Sequence, residues 1–169
     1  GLEHAMLGLG AMYAGVPYAS VSTAYSTLST DFAKLKAILG LLTPGLVFAI
    51  NGAQFERAIT TAVPPDCEVV VLEKPPAGRK VTMLDEVWSA KATASVDAAH
   101  AKVGPDTIAK FLFTSGSTAQ PKAVVNTHRM LCSNMQALLQ VWPFLADAPP
   151  VLLDWLPWHH TFGGNKSFN

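Results

Sequence analysis

The chain alternates short apolar runs with segments in which apolar residues recur at helical spacing. Residues 2–14 follow the helical pattern, whereas 46–50, 67–72 and 108–113 are apolar runs of strand length. The unbroken run at 46–50 predicts a strand that is buried on both faces. The other predicted elements are strands at 16–21, 122–126 and 151–155, helices capped by Asp31, Asn51 and Thr127, and weaker helical segments between 84 and 99.

The order of these elements predicts the fold class. Strand and helix alternate along most of the chain, and such alternation requires crossover connections between parallel strands. The sequence therefore predicts an α/β fold of three layers, αβα, with a mainly parallel sheet and helices on both of its faces. Neither an internal repeat nor a low-complexity tract interrupts the pattern, and we expect residues 1–169 to belong to a single domain.

Charge and cysteine usage exclude several classes of partner. The 12 basic and 12 acidic residues give a net charge of zero, so no basic field attracts nucleic acid or anionic lipid. The two cysteines, Cys67 and Cys132, are too far apart in sequence to suggest a metal pair or a disulfide framework. Free thiols, together with the lack of a signal-peptide pattern or an apolar run of membrane length, predict a cytoplasmic protein.

A hydroxyl-rich loop follows the predicted strand at 108–113. Its residues are Thr114, Ser115, Gly116, Ser117, Thr118, Ala119, Gln120, Pro121 and Lys122. Hydroxyls, backbone N–H groups and a glycine free to take positive φ suit a loop that wraps a polyphosphate, and Lys122 adds a charge-assisted contact. A hydroxyl such as that of Thr118 can also contact a phosphate-bound Mg²⁺. A Ser/Gly turn without function is the alternative, while the Walker and nucleophile-elbow spacings do not occur in the loop.

The complete string from Thr114 to Lys122 resembles the phosphate loop of the adenylate-forming, or AMP-binding, superfamily. This superfamily includes acyl-CoA synthetases, adenylation domains of non-ribosomal peptide synthetases and beetle luciferases. The next segment, residues 123–128, is similar to the family pattern in which a Thr-His pair opens a helix. Ala119 stands where the family usually has Gly, and its Cβ disfavours positive φ at that position.

A second landmark lies further along the chain. Residues 156–163 resemble the family segment Leu-Pro-x-x-His-x-x-Gly, in which the histidine lies near the acyl carboxylate and the α-phosphate. The resemblance gives His160 this position. It also implies that the acyl pocket is lined by Trp158, His159, Phe162 and Gly163. Packing of the aromatic residues in the core is the alternative. Residues 130–134 and 153–165 look most like feruloyl-CoA synthases, which activate hydroxycinnamic acids.

The resemblance implies an ATP-dependent acid–CoA ligase that acts on feruloyl or other hydroxycinnamoyl substrates. The carboxylate attacks the α-phosphate of MgATP to give an acyl-adenylate and pyrophosphate, and the thiol of CoA then displaces AMP. His160 and Lys122 are the implied catalytic residues. The implied ATP-phosphate ligands are Thr114, Ser115, Gly116, Ser117, Thr118 and Lys122, with Thr118 also near Mg²⁺. ATP, CoA, Mg²⁺ and a small carboxylic acid are thus the expected partners and cofactors.

Some parts of the family pattern are not found in residues 1–169. These are the Tyr-Gly-x-Thr-Glu segment for adenine and Mg²⁺, the Thr-Gly-Asp segment for ribose, and the small C-terminal domain. We therefore expect a fragment of the N-terminal AMP-binding domain that is inactive alone and self-associates through exposed apolar surface. A non-catalytic nucleotide- or phosphate-binding module and the adenylation domain of a peptide synthetase remain as alternatives.

Overall fold

A computed structural model describes residues 1–114, 121–148 and 150–168. These residues form two compact units. Within the described ranges, the first unit contains residues 1–21, 93–114, 122–148 and 150–168, and the second contains residues 22–92 and 121. Compact units can belong to one larger domain, so the single domain expected over residues 1–169 stays a prediction.

Each of the two units contains both helices and strands, numbered here in chain order. The first unit contains α1 (Leu2–Tyr13), β1 (Tyr18–Ala19), α6 (Ala94–His100), β5 (Ile108–Thr114), β6 (Lys122–Thr127), α7 (His128–Val141), a 3₁₀ turn (Pro143–Ala146) and a π-helical turn (Gly163–Ser167). The second unit contains α2 (Ala24–Thr27), α3 (Ala33–Leu42), β2 (Leu46–Asn51), α4 (Glu56–Ala62), β3 (Glu68–Glu73), β4 (Thr82–Met83) and α5 (Leu84–Ser89).

The sheet of the first unit has the strand order β1-β5-β6. Strand β5 pairs parallel with β1 and antiparallel with β6. Ala109 and Leu112 of β5 are buried, as is Leu131 of α7. Helix α7 begins where the sequence predicts, because the Thr127 hydroxyl accepts a hydrogen bond from the backbone N–H of Met130 at 3.4 Å. The antiparallel β5–β6 pair is the hairpin that carries the loop.

The sheet of the second unit has the order β2-β3-β4 and is entirely parallel. Its central strand, β3, supplies the fully buried residues Val69, Val70 and Val71. The expectation that residues 46–50 form a strand buried on both faces is wrong, because β2 lies at the sheet edge and its Leu46 and Ile50 are exposed. An apolar run fixes the strand but does not say whether a neighbour covers it.

The α/β class with mainly parallel strands is confirmed. Three pairings are parallel and one is antiparallel among the described residues. The strand predicted at 151–155 is wrong, because that segment has no ladder partner in the described part of the chain and no regular structure. A strand needs a partner for its backbone N–H and C=O groups, and the apolar pattern of the segment cannot supply one.

Arg79 stabilises the connection between α4 and β3. Its guanidinium donates to the backbone carbonyls of Val63 at 2.8 Å, Pro64 at 2.6 Å and Cys67 at 2.5 Å. We expect Arg79→Lys to lower the free energy of unfolding by about 1–3 kcal/mol, because a single ammonium cannot reach these spread acceptors. Urea denaturation measures the change. Arg57→Lys, at an exposed position, should cost less than about 0.5 kcal/mol, and equal losses for both variants would contradict the assignment.

Exposed apolar side chains cluster in the segment predicted to be the last strand. Val151, Leu153 and Trp155 are almost completely exposed. Because contiguous apolar surface of this kind favours association, we still expect the 169-residue chain to self-associate. Light scattering across a concentration series is the measurement, and a monomer mass at every concentration would contradict the expectation. Among the described residues, no helix has the length and apolar character to cross a membrane.

Candidate functional site

The two ends of the hydroxyl-rich loop lie opposite each other on the β5–β6 hairpin. Thr114, the last residue of β5, pairs with Lys122, the first residue of β6, and both are exposed. Directly paired residues of antiparallel strands have Cα atoms about 4.5–5.5 Å apart and side chains on the same face. The hairpin therefore brings a hydroxyl and an ammonium group together where the loop begins and ends. The predicted phosphate contacts Ser115, Gly116, Ser117 and Thr118, like Ala119 and Gln120, lie outside the described residues.

The face of the hairpin that bears Thr114 and Lys122 continues towards the base of the sheet. Two further cross-strand pairs lie on it, Leu112 with Val124 and Lys110 with Asn126. Because successive side chains of a strand alternate between faces, Lys110 and Thr114 share a face and are about 13 Å apart along β5. This loop-bearing face, defined by Lys110, Leu112 and Thr114 of β5 with their β6 partners, is the floor of the candidate site.

The turn Gly163–Ser167 packs on the loop-bearing face. The ammonium of Lys110 donates a hydrogen bond to the carbonyl of Gly164. The side-chain amide of Asn165 donates to Oδ1 of Asn126 at 2.8 Å. These contacts attach the second family-like segment, 156–163, to the same hairpin as the loop. The structure thus brings together two sequence landmarks that are far apart along the chain.

His160 lies at the start of this turn and is exposed. Its carbonyl accepts a hydrogen bond from the N–H of Gly164 at 2.8 Å, and its Nδ1 accepts one from the N–H of Phe162 at 3.4 Å. The ring is therefore held through Nδ1 by its own turn. His159 is half-buried, and burial, with a smaller effect from neighbouring His160, lowers the pKa of its imidazole. Both effects favour the neutral form of the His159 imidazole.

The aromatic residues of the predicted acyl pocket have different surroundings. Trp158 packs against Phe168, with ring centroids 4.8 Å apart, and against His4 at 5.8 Å. Phe162 is 51% exposed, and the ammonium of Lys166 lies 4.8 Å from its ring centroid. Trp158 thus contributes to packing inside the unit, while Phe162 presents a ring to the outside. Their roles in binding an acyl group stay predictions.

The two glycines of the turn allow its backbone to pass close to the preceding segment. A Cβ on Gly163 would lie 2.6 Å from the carbonyl oxygen of Pro157. A Cβ on Gly164 would lie 2.6 Å from the carbonyl oxygen of Trp158 and 3.2 Å from a methyl group of Leu112. A side chain is sterically excluded at these distances, so both positions require glycine. The structure thus explains Gly163 by the close approach of two backbone segments, and its place in an acyl pocket stays a prediction.

Sequence reasoning missed Lys110 and its environment. Lys110 is 0% exposed, and burial lowers the pKa of its ammonium to about 8. Tyr18 pairs with Lys110 across the parallel β1–β5 ladder, and burial raises the pKa of the Tyr18 hydroxyl to about 12. The available signal was one lysine within the apolar run 108–113, which the strand prediction passed over.

The shifted pKa of Lys110 predicts how stability depends on pH. Between about pH 8 and 10.5 the unfolded chain binds more protons than the folded chain, so the free energy of unfolding contributed by Lys110 rises with pH. Above about pH 10 Tyr18 acts in the opposite direction, because the folded state keeps its proton. Urea denaturation of wild type and Lys110→Met across this range should show a rise present only in wild type. A Lys102→Met control should keep the rise, and identical profiles for wild type and Lys110→Met would contradict the prediction.

A protein-built metal centre is not found among the described residues, since no group of three or more His, Cys, Asp or Glu side chains could hold a metal there. The paired ends Thr114 and Lys122 place a hydroxyl and a positive charge at the loop, and the expected binding of Mg²⁺ together with phosphates stays a prediction. The predicted Mg²⁺ contact of Thr118 lies outside the described residues and stays a prediction.

The α/β fold, the strand pair that closes the hydroxyl-rich loop and the turn after His160 on the same face agree with the superfamily expected from the sequence. The chain belongs to the AMP-binding enzyme family, whose model matches residues 1–167. The superfamily expected from the loop and the histidine segment is therefore confirmed.

Three relatives illustrate this membership. A crystal structure of ATP-bound MatB from Rhodopseudomonas palustris has a TM-score of 0.68 and 25% sequence identity, and the match covers 99% of this chain and 30% of that one. A 3-(7a-methyl-1,5-dioxo-octahydro-1H-inden-4-yl)propanoyl:CoA ligase from Rhodococcus jostii is 33% identical over 75 residues, which are 44% of this chain and 14% of the ligase. Nonribosomal peptide synthetase 8 of Aspergillus fumigatus is 61% identical over 33 residues. These residues are 20% of this chain and a share of the synthetase that rounds to 0%. The chain spans 30% or less of each of these relatives.

Proposed function

We propose that this chain is part of an ATP-dependent acid–thiol ligase that activates a carboxylic acid and transfers its acyl group to CoA. A carboxylate oxygen bonds to the α-phosphorus of ATP as pyrophosphate leaves, and the CoA sulfur then bonds to the acyl carbon as AMP leaves. The MatB structure with bound ATP and the Rhodococcus CoA ligase support both steps by family membership. The proposal concerns the longer enzyme, and we expect the 169-residue chain alone to be inactive.

The shared face of the hairpin is the observation that carries the proposal. Thr114 and Lys122 are paired at the ends of the loop, and the turn that follows His160 is fastened to the same face by Lys110. A positive charge at the loop and a turn that follows a histidine on the same face suit a reaction in which a carboxylate must meet the α-phosphate. Charge that develops on the pyrophosphate oxygens would be stabilised by Lys122. His160, which is exposed, would orient the acid.

A hydroxycinnamic acid such as ferulate is the proposed substrate class. The exposed ring of Phe162 offers an apolar surface against which an aromatic acyl group can stack. Residues 153–165 look most like feruloyl-CoA synthases, which supports the same choice. We propose the cytoplasm as the compartment, in keeping with Cys67 and Cys132, which are both free thiols.

A peptide-synthetase adenylation domain is the second candidate. The observation that favours it is the 61% identity to the peptide synthetase of Aspergillus fumigatus, although only 33 residues are involved. Such a domain performs the same adenylation step but selects an amino acid and passes it to a carrier-bound thiol. The two candidates therefore differ in the acid and in the acceptor, and not in the role of the loop.

Acid-dependent exchange between pyrophosphate and ATP tests the proposal. The complete polypeptide that contains this chain is assayed with ferulate, a medium-chain fatty acid, malonate and a mixture of amino acids, followed by mass spectrometry of the CoA products. We expect exchange with ferulate and formation of feruloyl-CoA. Exchange only with amino acids would favour the peptide-synthetase candidate, and ATP binding by calorimetry without exchange would favour a non-catalytic module.

A further inference from the structure

Lys110 is a buried cation in the middle of the strand that leads into the loop. Lys110 is 0% exposed and its neighbours Ala109 and Leu112 are also buried, so the ammonium is withdrawn from bulk water. Transfer of a cation from water to such a place is unfavourable unless specific groups compensate it. A lysine at this position therefore requires an explanation beyond filling the core.

Two contacts that compensate the buried charge of Lys110 come from the segment after the histidines. Its ammonium donates to the carbonyl of Gly164 and lies 5.6 Å from the ring centroid of Phe168. A charge-assisted hydrogen bond in a buried place is stronger than one between neutral groups, and a cation over an aromatic face adds to it. Lys110 thus connects β5 to the turn Gly163–Ser167.

Gly164 is hydrogen-bonded both to Lys110 and to His160. The carbonyl of Gly164 accepts from Lys110, while the N–H of Gly164 donates to the carbonyl of His160 at 2.8 Å. The imidazole of His160 is held in turn by the N–H of Phe162. A short series of hydrogen bonds therefore runs from the loop-bearing strand to the ring of His160.

A second tether lies beside the first. Asn126 is the cross-strand partner of Lys110, and its Oδ1 accepts from the side-chain amide of Asn165 at 2.8 Å. The carbonyl of Asn165 accepts from the amide of Asn134 on α7 at 3.0 Å. Neighbouring positions of β5 and β6 thus hold consecutive residues of the turn, which fixes its position along the hairpin as well as its distance from it.

On this basis we infer that Lys110 is a positioning residue: by holding the Gly164 carbonyl it fixes His160 on the same hairpin face as the phosphate loop. An apolar side chain of similar volume would serve packing alone as well or better, whereas only a donor of this reach can hold the Gly164 carbonyl. We call the hydrogen bond from Lys110 to the Gly164 carbonyl the clamp. The role of His160 in orienting the acid rests on the proposed function, whereas the clamp does not.

Hydrogen exchange in the 169-residue chain tests the clamp without any assay of activity. The amide of Gly164, which is bonded to His160, is the reporter. We expect Lys110→Met to speed its exchange about tenfold or more, with Lys110→Arg in between, because the loss of a charge-assisted bond loosens the turn. Lys102→Met, at an exposed lysine of the same unit, is the matched control and should change nothing. Unchanged exchange of Gly164 in Lys110→Met would overturn the inference.

Steady-state kinetics of the complete enzyme separate positioning from general stability. We expect Lys110→Met to raise KM for the acid and to lower kcat/KM for the acid by about 10- to 100-fold, with KM for ATP nearly unchanged. Lys110→Arg should recover part of the loss. A fall in the amount of folded enzyme with both KM values unaltered would show a structural role only and would overturn the inference.

Lysine labelling of the wild-type chain provides a measurement that needs no variant to fold. Acetic anhydride at low concentration, with peptide mass spectrometry, should label Lys110 at least about tenfold more slowly than the exposed Lys102 and Lys122. Equal labelling would contradict a closed clamp. If no acid supports pyrophosphate exchange while Gly164 stays protected and Lys110 slow to label, the proposed function fails and the clamp stands.

Discussion

Replacing Lys122 by Ala is expected to lower kcat/KM for acid-dependent pyrophosphate exchange by on the order of 10²-fold or more. Lys122 is exposed and pairs with Thr114 where the loop begins and ends, so its charge is available to phosphate oxygens. The negative charge on those oxygens is redistributed as pyrophosphate leaves, and a fixed ammonium stabilises it more in the transition state than in the ground state. The measurement is the initial rate of exchange in the complete enzyme at saturating acid and varied ATP.

Two further variants make the result specific. Lys122→Arg keeps the charge and should retain much more of the activity than Lys122→Ala, although the planar group fits the loop less well. Lys102→Ala removes a positive charge elsewhere in the same unit and should leave kcat/KM within about twofold. Thermal denaturation should show no loss of stability in Lys122→Ala, because the side chain is exposed. Full activity of Lys122→Ala would contradict the proposed role of Lys122 in stabilising charge on the phosphates.

Gly164→Ala is the second change with a large expected effect. The new Cβ would lie 2.6 Å from the carbonyl oxygen of Trp158, so either the turn or the segment before it must move. Such overpacking typically costs about 1–3 kcal/mol, which lowers the melting temperature of a chain this long by several degrees. The displaced carbonyl of Gly164 would also leave Lys110 without this acceptor. Circular dichroism during heating of the 169-residue chain measures the change.

Gly10→Ala is the matched control for this substitution. Gly10 lies within α1, and apart from its chain neighbours and the backbone of its own helix no described heavy atom lies within 4 Å of the position that a Cβ would take. Alanine in a helix should raise the free energy of unfolding by up to about 1 kcal/mol, because it restricts the unfolded chain. The two variants should therefore shift the melting temperature in opposite directions. A neutral Gly164→Ala would contradict the close approach of the turn to the Trp158 carbonyl.

Local sequence pattern was sufficient for most of the elements. The strands β3, β5 and β6 lie within a residue or two of the apolar runs that predicted them, and Thr127 begins α7 as expected. Residues 151–155 form no strand although their apolar character is just as clear. The difference is physical, since a strand exists only with a partner, and partner choice depends on residues distant in sequence.

The candidate site shows the same division. The loop string and the histidine segment were recognisable through their resemblance to short family segments, because each is a run of consecutive residues. Lys110 and Asn126 were not recognisable, since one lysine in an apolar run and one asparagine near a strand end belong to no short sequence motif. Their role follows from the register of β5 against β6 and from the turn that packs on both.

The sequence by itself determined the α/β class, the phosphate-loop string from Thr114 to Lys122 and membership of the AMP-binding enzymes. These features depend on periodicity and on short runs of chemically specific residues, and both involve residues that are close together in the sequence. The tertiary structure alone decided that the His160 turn lies on the loop-bearing face and that a buried lysine holds it there. Burial and pairing join residues that are far apart along the chain, and the cost of burying Lys110 becomes visible only when its neighbours are known.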